Sequence, residues 1–169
     1  MKLFAFYVGG SAPNSNTELH DVRFALGECM EDCYDSLRRQ WWGTPESLHI
    51  DSWAELTHAD GHTITLSPES FPGEERLFFV NLGGYDSRQF EEIHSNIFVV
   101  APDKDAAKKR ALATVHQWIK PHRDNLFEVE HVIGLSEIAG KSGQHIHLAP
   151  VTSSPPFTFT TGLYIRLGV

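Results

Sequence analysis

The chain has 169 residues, 41% hydrophobic and 21% charged, an ordinary globular balance that excludes intrinsic disorder and suffices for a sizeable core. A formal net charge of -8 opposes broad attraction to phosphate backbones or anionic lipid, so neither nucleic acid nor a membrane surface is expected as a partner. The apolar run before Gly9-Gly10 is too short to span a bilayer and lacks a signal-peptide cleavage region, which leads us to expect a cytoplasmic protein.

Taken in chain order, Leu3 to Val8 is a nearly continuous apolar run, the pattern of a strand covered on both faces. Gly9-Gly10 reads as its stop, a turn that needs positive φ. Leu19 to Leu26 alternates, with His20, Val22, Phe24 and Leu26 on one face and Leu19, Asp21, Arg23 and Ala25 on the other. Glu28 to Trp42 has helical spacing, turning Met30, Cys33, Tyr34, Leu37 and Trp41 to one side, and Gly43 stops it. Cys29 and Cys33 share a face of that helix; their spacing is not that of a Cys-x-x-Cys redox pair, and both read as small buried residues. His49 to Leu56 and Thr63 to Leu66 follow as two strands joined around Asp60-Gly61.

A shift of 74 residues then brings Leu3-Phe4 onto Leu77-Phe78, Gly9-Gly10 onto Gly83-Gly84, His20 onto His94 and Phe24 onto Phe98. A later shift of 82 brings His49-Ile50 onto His131-Val132, Gly61 onto Gly143 and Ile64 onto Ile146. The second helix starts at Asp103 as N-cap and buries Ala107, Ala111, Val115, Trp118 and Ile119 before Pro121 ends it. Its Lys104, Lys108, Lys109 and Arg110 read as a solvated face.

The expected fold is therefore α+β, an internal duplication of a ββαββ unit with approximate two-fold symmetry. Residues 1–70 and 71–150 are the two units. Residues 151–169 are a C-terminal strand extension, with a hairpin from Phe157 to Leu167 turning at Thr161-Gly162. Phe24, Phe98, Trp53, Ile64 and Ile146 are expected to be largely buried.

The Glu18-Leu19-His20-Asp21-Val22-x-Phe24 strand and the stretch from Trp42-Gly43-Thr44-Pro45 through Ser47-Leu48-His49-Ile50-Asp51-Ser52-Trp53 resemble a bacterial family, domain of unknown function 1543. The resemblance implies one or two copies of the unit per chain, covers about residues 1 to 150, and is strongest in the first copy. It implies no activity. The second copy departs from it, with Ser95 for Asp21 and Ile133-Gly134-Leu135 for Asp51-Ser52-Trp53.

Ten histidines are the one chemical signal that supports a site. His20 with His94, and His49 with His131, occupy matching places in the two copies, and His20 and His94 are candidates for the surface between them. His145 and His147 share a strand face at a spacing that could reach one divalent ion, but with no third ligand in view no metal is assigned. Ser52 alternates away from His49 and Asp51, which removes a triad within that strand; Glu55 shares the His49 face but lies too far along for a dyad. Gly9, Gly10, Gly83 and Gly84 follow apolar strands without a nucleotide-binding fingerprint.

These residues point first to a binding protein for a small molecule or a protein partner, with its site between the two units. The second reading is an enzyme using histidine acid/base or metal chemistry, and the third a structural oligomer subunit. No catalytic set, cofactor or oligomeric state follows from the sequence.

Overall fold

The computed structural model describes residues 1–85, 88–115, 127–153 and 155–168. It is α+β, built mostly of antiparallel strands. The first half contains β1 (Lys2–Gly10), β2 (Leu19–Gly27), α1 (Tyr34–Gln40), β3 (His49–Glu55), β4 (His58–Ala59) and β5 (His62–Ser67). The second contains β6 (Arg76–Gly84), β7 (Ile93–Ala101), α2 (Lys104–Val115), β8 (Phe127–Gly134), α3 (Leu135–Gly140) and β9 (His145–Pro150), and β10 (Ile165–Arg166) closes the chain.

Three sheets result, in the strand orders β10-β3-β1-β2, β7-β6-β8 and β4-β5-β9. Along β1 the alternation sends Phe4, Phe6 and Val8 outward against Cys33 and Leu37 of the α1 region, and Leu3 and Ala5 inward. Along β6 it sends Phe78, Val80 and Leu82 against Ala107 and Ala111 of α2, and Leu77 and Phe79 inward. The two inner faces meet in one central core that also takes Phe24, Val100, Ile64 and Ile146. α1 and α2 thus each cover the outside of one sheet, and the two sheets share what lies between them.

Both halves pair in the same way. Lys2 lies opposite Gly27 and Arg76 opposite Ala101, and each central strand meets its third strand with a bulge, at Tyr7/Val8 and at Asn81/Leu82. The partners on the central strands decide which residues correspond. Ser52 lies opposite Tyr7 and His131 opposite Asn81, while Glu128 takes the position opposite Gly83 that His49 takes opposite Gly9. His131 therefore corresponds to Ser52, and the pairing of His49 with His131 is corrected.

Other expectations are corrected by packing. Gly9, Gly10, Gly83 and Gly84 are buried strand residues, and the glycines with positive φ among the described residues are Gly61, Gly143 and Gly162. The first helix is a short 3-10 turn, Glu31–Cys33, running into α1, with Trp41 already extended. Cys33 is buried but Cys29 is exposed. Where the second half was expected to repeat a strand, Leu135–Gly140 forms α3, burying Leu135 and Ala139. Phe24, Ile64 and Ile146 are buried, whereas Trp53 and Phe98 are partly covered.

The tail makes no hairpin of its own: Thr160 bridges Trp53, and β10 pairs with β3 at Ile50 and His49, so the tail occupies the edge that β3 would otherwise expose. Asp103 caps α2 by accepting a hydrogen bond from the Ala106 N–H at 2.8 Å, as expected. The expected course through Trp118 and Ile119 to Pro121 lies outside the described residues.

Candidate functional site: a cleft between the sheets and the carboxylate-histidine cluster beside it

The inner faces are not apolar along their whole length. In β1 the inward row runs Leu3, Ala5, Tyr7, Gly9; in β6 it runs Leu77, Phe79, Asn81, Gly83. The neighbouring strands change in the same sense, from Phe24 and Val22 to His20 in β2, and from Phe98 to Asn96 and His94 in β7. Apolar residues close the sheets against each other at one end. At the other, where the rows turn polar, the sheets part around a cleft of about 270 Å³.

One wall of the cleft carries Tyr7 and His20, and the other Asn81, Asn96, His94 and His131, with Phe79 and Ile133 as apolar lining. The Asn81 Nδ2 donates to Asn96 Oδ1 at 2.8 Å, which fixes both amides. The His20 ring stacks on Tyr7, with centroids 5.1 Å apart and planes 4° from parallel. Burial, then the nearby Asp51 and Asp21 carboxylates, push the Tyr7 hydroxyl above its ordinary pKa, so it stays a neutral phenol able to donate a hydrogen bond. His94 Nε2 lies 3.7 Å from Glu92 Oε2.

Beside the cleft, His20 and His49 flank Gly9 from the two neighbouring strands. A Cβ on Gly9 would stand 2.7 Å from His49 Nε2 and 2.9 Å from Asp51 Oδ2, so glycine is needed here for close approach. Asp51 is the extra residue of the β3 bulge, and the bulge returns Ser52, opposite Tyr7, to the inner face. The expectation that Ser52 and His49 lie on opposite faces is thereby corrected. Glu55, opposite Phe4, moves to the outer face and pairs with Lys2 at 2.8 Å.

The cluster is closed by Glu18. His49 Nε2 lies 3.2 Å from Asp51 Oδ1 and 3.3 Å from Glu18 Oε1; His20 Nε2 lies 3.3 Å from Asp51 Oδ2 and 3.8 Å from Glu18 Oε2. His49 is 1% exposed, with its Nδ1 bonded to the Ser47 carbonyl at 2.9 Å and its ring 4.2 Å from that of Tyr164. A carbonyl only accepts, so Nδ1 carries a proton, and Nε2 is the nitrogen turned to the two carboxylates.

Of the residues expected from sequence, the structure gathers His20, His94 and His131 around the cleft and His20, His49 and Gly9 around the carboxylates. Gly10 packs under Trp41 and Ser47, while Gly83 and Gly84 lie opposite His94 and Ile93. His145 and His147 form no shared site: His147 Nε2 bonds the Glu69 carbonyl at 2.8 Å, and its ring packs on Phe71. Tyr7, Glu18, Asn81 and Asn96 were missed. The signal for the two asparagines was the change from apolar to polar along the inward rows.

Residues 15–66 match the family described as Domain of Unknown Function (DUF1543), a segment that holds Glu18, His20, His49 and Asp51. The crystal structure of protein Il1583 from Idiomarina loihiensis is similar, with a TM-score of 0.74 and 31% sequence identity over 98% of this chain and 97% of that one. No curated protein matches the chain. Among the described residues no helix is long and apolar enough to cross a membrane.

Proposed function

The chain belongs to the DUF1543 family, matched over residues 15–66, and from that premise we propose that it binds a small polar molecule in the cleft between its two halves. The observation that carries this reading is the convergence of polar side chains from separate sheets, Tyr7 and His20 facing Asn81, Asn96, His94 and His131, on one opening. Pockets for small molecules are concave sites with a few convergent polar groups on an apolar base. At about 270 Å³ the cleft suits a small metabolite. Its described lining offers amides, imidazoles, a phenol and the Asp21 carboxylate but no Lys or Arg, a set that favours a ligand rich in hydrogen-bond donors over a phosphate.

The two halves are read as copies of one duplicated unit, supported by the equal strand pairing and the matching bulges. On that reading the cleft lies between the units, where the polar ends of both inner faces meet.

A thermal-shift screen of small polar metabolites tests the proposal. A ligand present at about a hundredfold its Kd stabilises the chain by about 2.7 kcal/mol, and Asn96→Ala and His131→Ala should each reduce that shift. A stabilising ligand whose effect survives both substitutions would place the site elsewhere and sink the proposal. Turnover of the same ligand would favour the second reading, acid/base chemistry by His20, which rests on the contact of its Nε2 with Asp51 while its ring lines the cleft.

A further inference from the structure

The cluster beside the cleft has a property that hydrogen bonding within it does not explain. Two imidazole nitrogens and two carboxylates approach one another at nitrogen-to-oxygen separations of 3.2 to 3.8 Å, beside Gly9, whose Cβ would press on His49 Nε2, Asp51 Oδ2 and the His20 ring. The Asp51 Oδ2 is buried and accepts no hydrogen bond, although His20 Nε2 lies 3.3 Å away. A buried acceptor without a donor is costly, as is an imidazole lone pair held against carboxylate oxygens. A positive charge between the groups removes both costs.

We propose that Glu18, His20, His49 and Asp51 form a binding site for one divalent transition ion of the zinc type. Nitrogen donors select borderline ions over magnesium or calcium, and two carboxylates neutralise the charge of the ion. For metal bonds of about 2.1 Å, donors in a tetrahedral shell stand about 3.4 Å apart, close to the separations found here. The Ser47 carbonyl on His49 Nδ1 is the outer contact that orients a metal-bound imidazole and leaves Nε2 as the ligand atom. The β3 bulge turns Asp51 onto the face of His49, and Gly9 keeps the centre open.

As the side chains stand, each carboxylate bridges the two rings with separate oxygens, and among the described residues no group of three is already drawn around one point as a metal site. The ion must therefore pull one oxygen of each carboxylate inward. Glu18, with its side chain 49% exposed, and Asp51, at 26%, retain contact with solvent. Two protons, one on each imidazole, are the competing way to place positive charge between the same atoms, and the experiment separates the two.

Calorimetric titration of the chelator-stripped chain with Zn²⁺, repeated with Co²⁺ for its visible absorption, is the test. One ion per chain is expected. Glu18→Gln, His20→Gln and Asp51→Asn should each weaken binding about tenfold or more, while a His145→Gln, His147→Gln double variant binds as the parent does. Circular dichroism identifies variants that fail to fold; Glu18→Gln and His20→Gln, at the accessible rim, keep the test decisive if Asp51→Asn is one of them. No saturable binding, or binding that persists unchanged in Glu18→Gln and His20→Gln, overturns the proposal and leaves the protonated pair or surface histidines only. Failure here leaves the cleft reading intact, because Asn96 and His131 have no part in the ion site.

Discussion

At the scale of single residues, Gly9 shows how a missing side chain makes a site. Its Cβ would press on His49 Nε2 at 2.7 Å and on the His20 ring at 3.0 Å, and neither strand can retreat without breaking its ladder with β1. Gly9→Ala should therefore cost about 1 to 3 kcal/mol in denaturant melts, the range for overpacking, and disturb both imidazole environments by NMR. An unchanged midpoint would mean that the cluster is looser than its distances state.

The two cysteines make a second comparison. Burial pushes the Cys33 thiol from its ordinary 9.0 up to about 12, while Cys29 is exposed. Thiol reagents should label Cys29 in the native protein and Cys33 after unfolding. The raised value also carries a sign. The unfolded thiol ionises near 9.0 while the folded one stays neutral to about 12, so the stabilising effect is complete below 9.0 and is lost as pH rises between these values. Melts of the parent and Cys33→Ala across that range should converge as pH rises, and a constant gap would contradict the assignment.

Among the elements, β2 and β7 show that equal sequence position does not mean equal burial. Phe24 is 3% exposed against Phe79, whereas Phe98 is partly open and has Phe157 of the tail beside it. Phe24→Ala should cost about 3 to 5 kcal/mol and Phe98→Ala less; the reverse order by chemical denaturation would refute this packing. The turn after β4 does more than reverse the chain. Asp60 accepts hydrogen bonds from the Val100 N–H at 2.7 Å and from Arg110 Nη2 at 3.0 Å, joining the first half to the free edge of β7 and to α2. Asp60→Ala leaves that edge N–H without its partner and should cost about 1 to 3 kcal/mol, whereas a loss near zero would assign the contact to solvent-screened surface. Arg110, expected to belong to a merely solvated face, takes part in this tie.

For the whole molecule, the halves are bound by more than contact. Strand β5 of the first pairs with β9 of the second over six residues, Ile64 opposite Leu148, and the central core draws on both. Unfolding should therefore be a single cooperative transition by calorimetry and by fluorescence, with residues 1–70 alone failing to fold. Two separated transitions would show that each half holds its own stability.

Alternation in β1, β2, β6 and β7 was legible in the sequence because strand faces follow a period of two, and the 74-residue shift placed the first two strands of both halves correctly. That much is local. In β3 the reading of the faces failed for a physical reason: one extra residue in the bulge reverses every later face, which moves Ser52 inward and Glu55 outward, while His131 matches Ser52 because the two lie opposite the equivalent residues Asn81 and Tyr7. No composition signal marks a bulge, since it exists only as a mismatch between two paired strands. The sequence by itself also singled out His20, His49 and Gly9 as candidates. Only tertiary structure brought Glu18 and Asp51 to them and set His94 and His131 across the cleft, because those distances are decided by how sheets twist and stack.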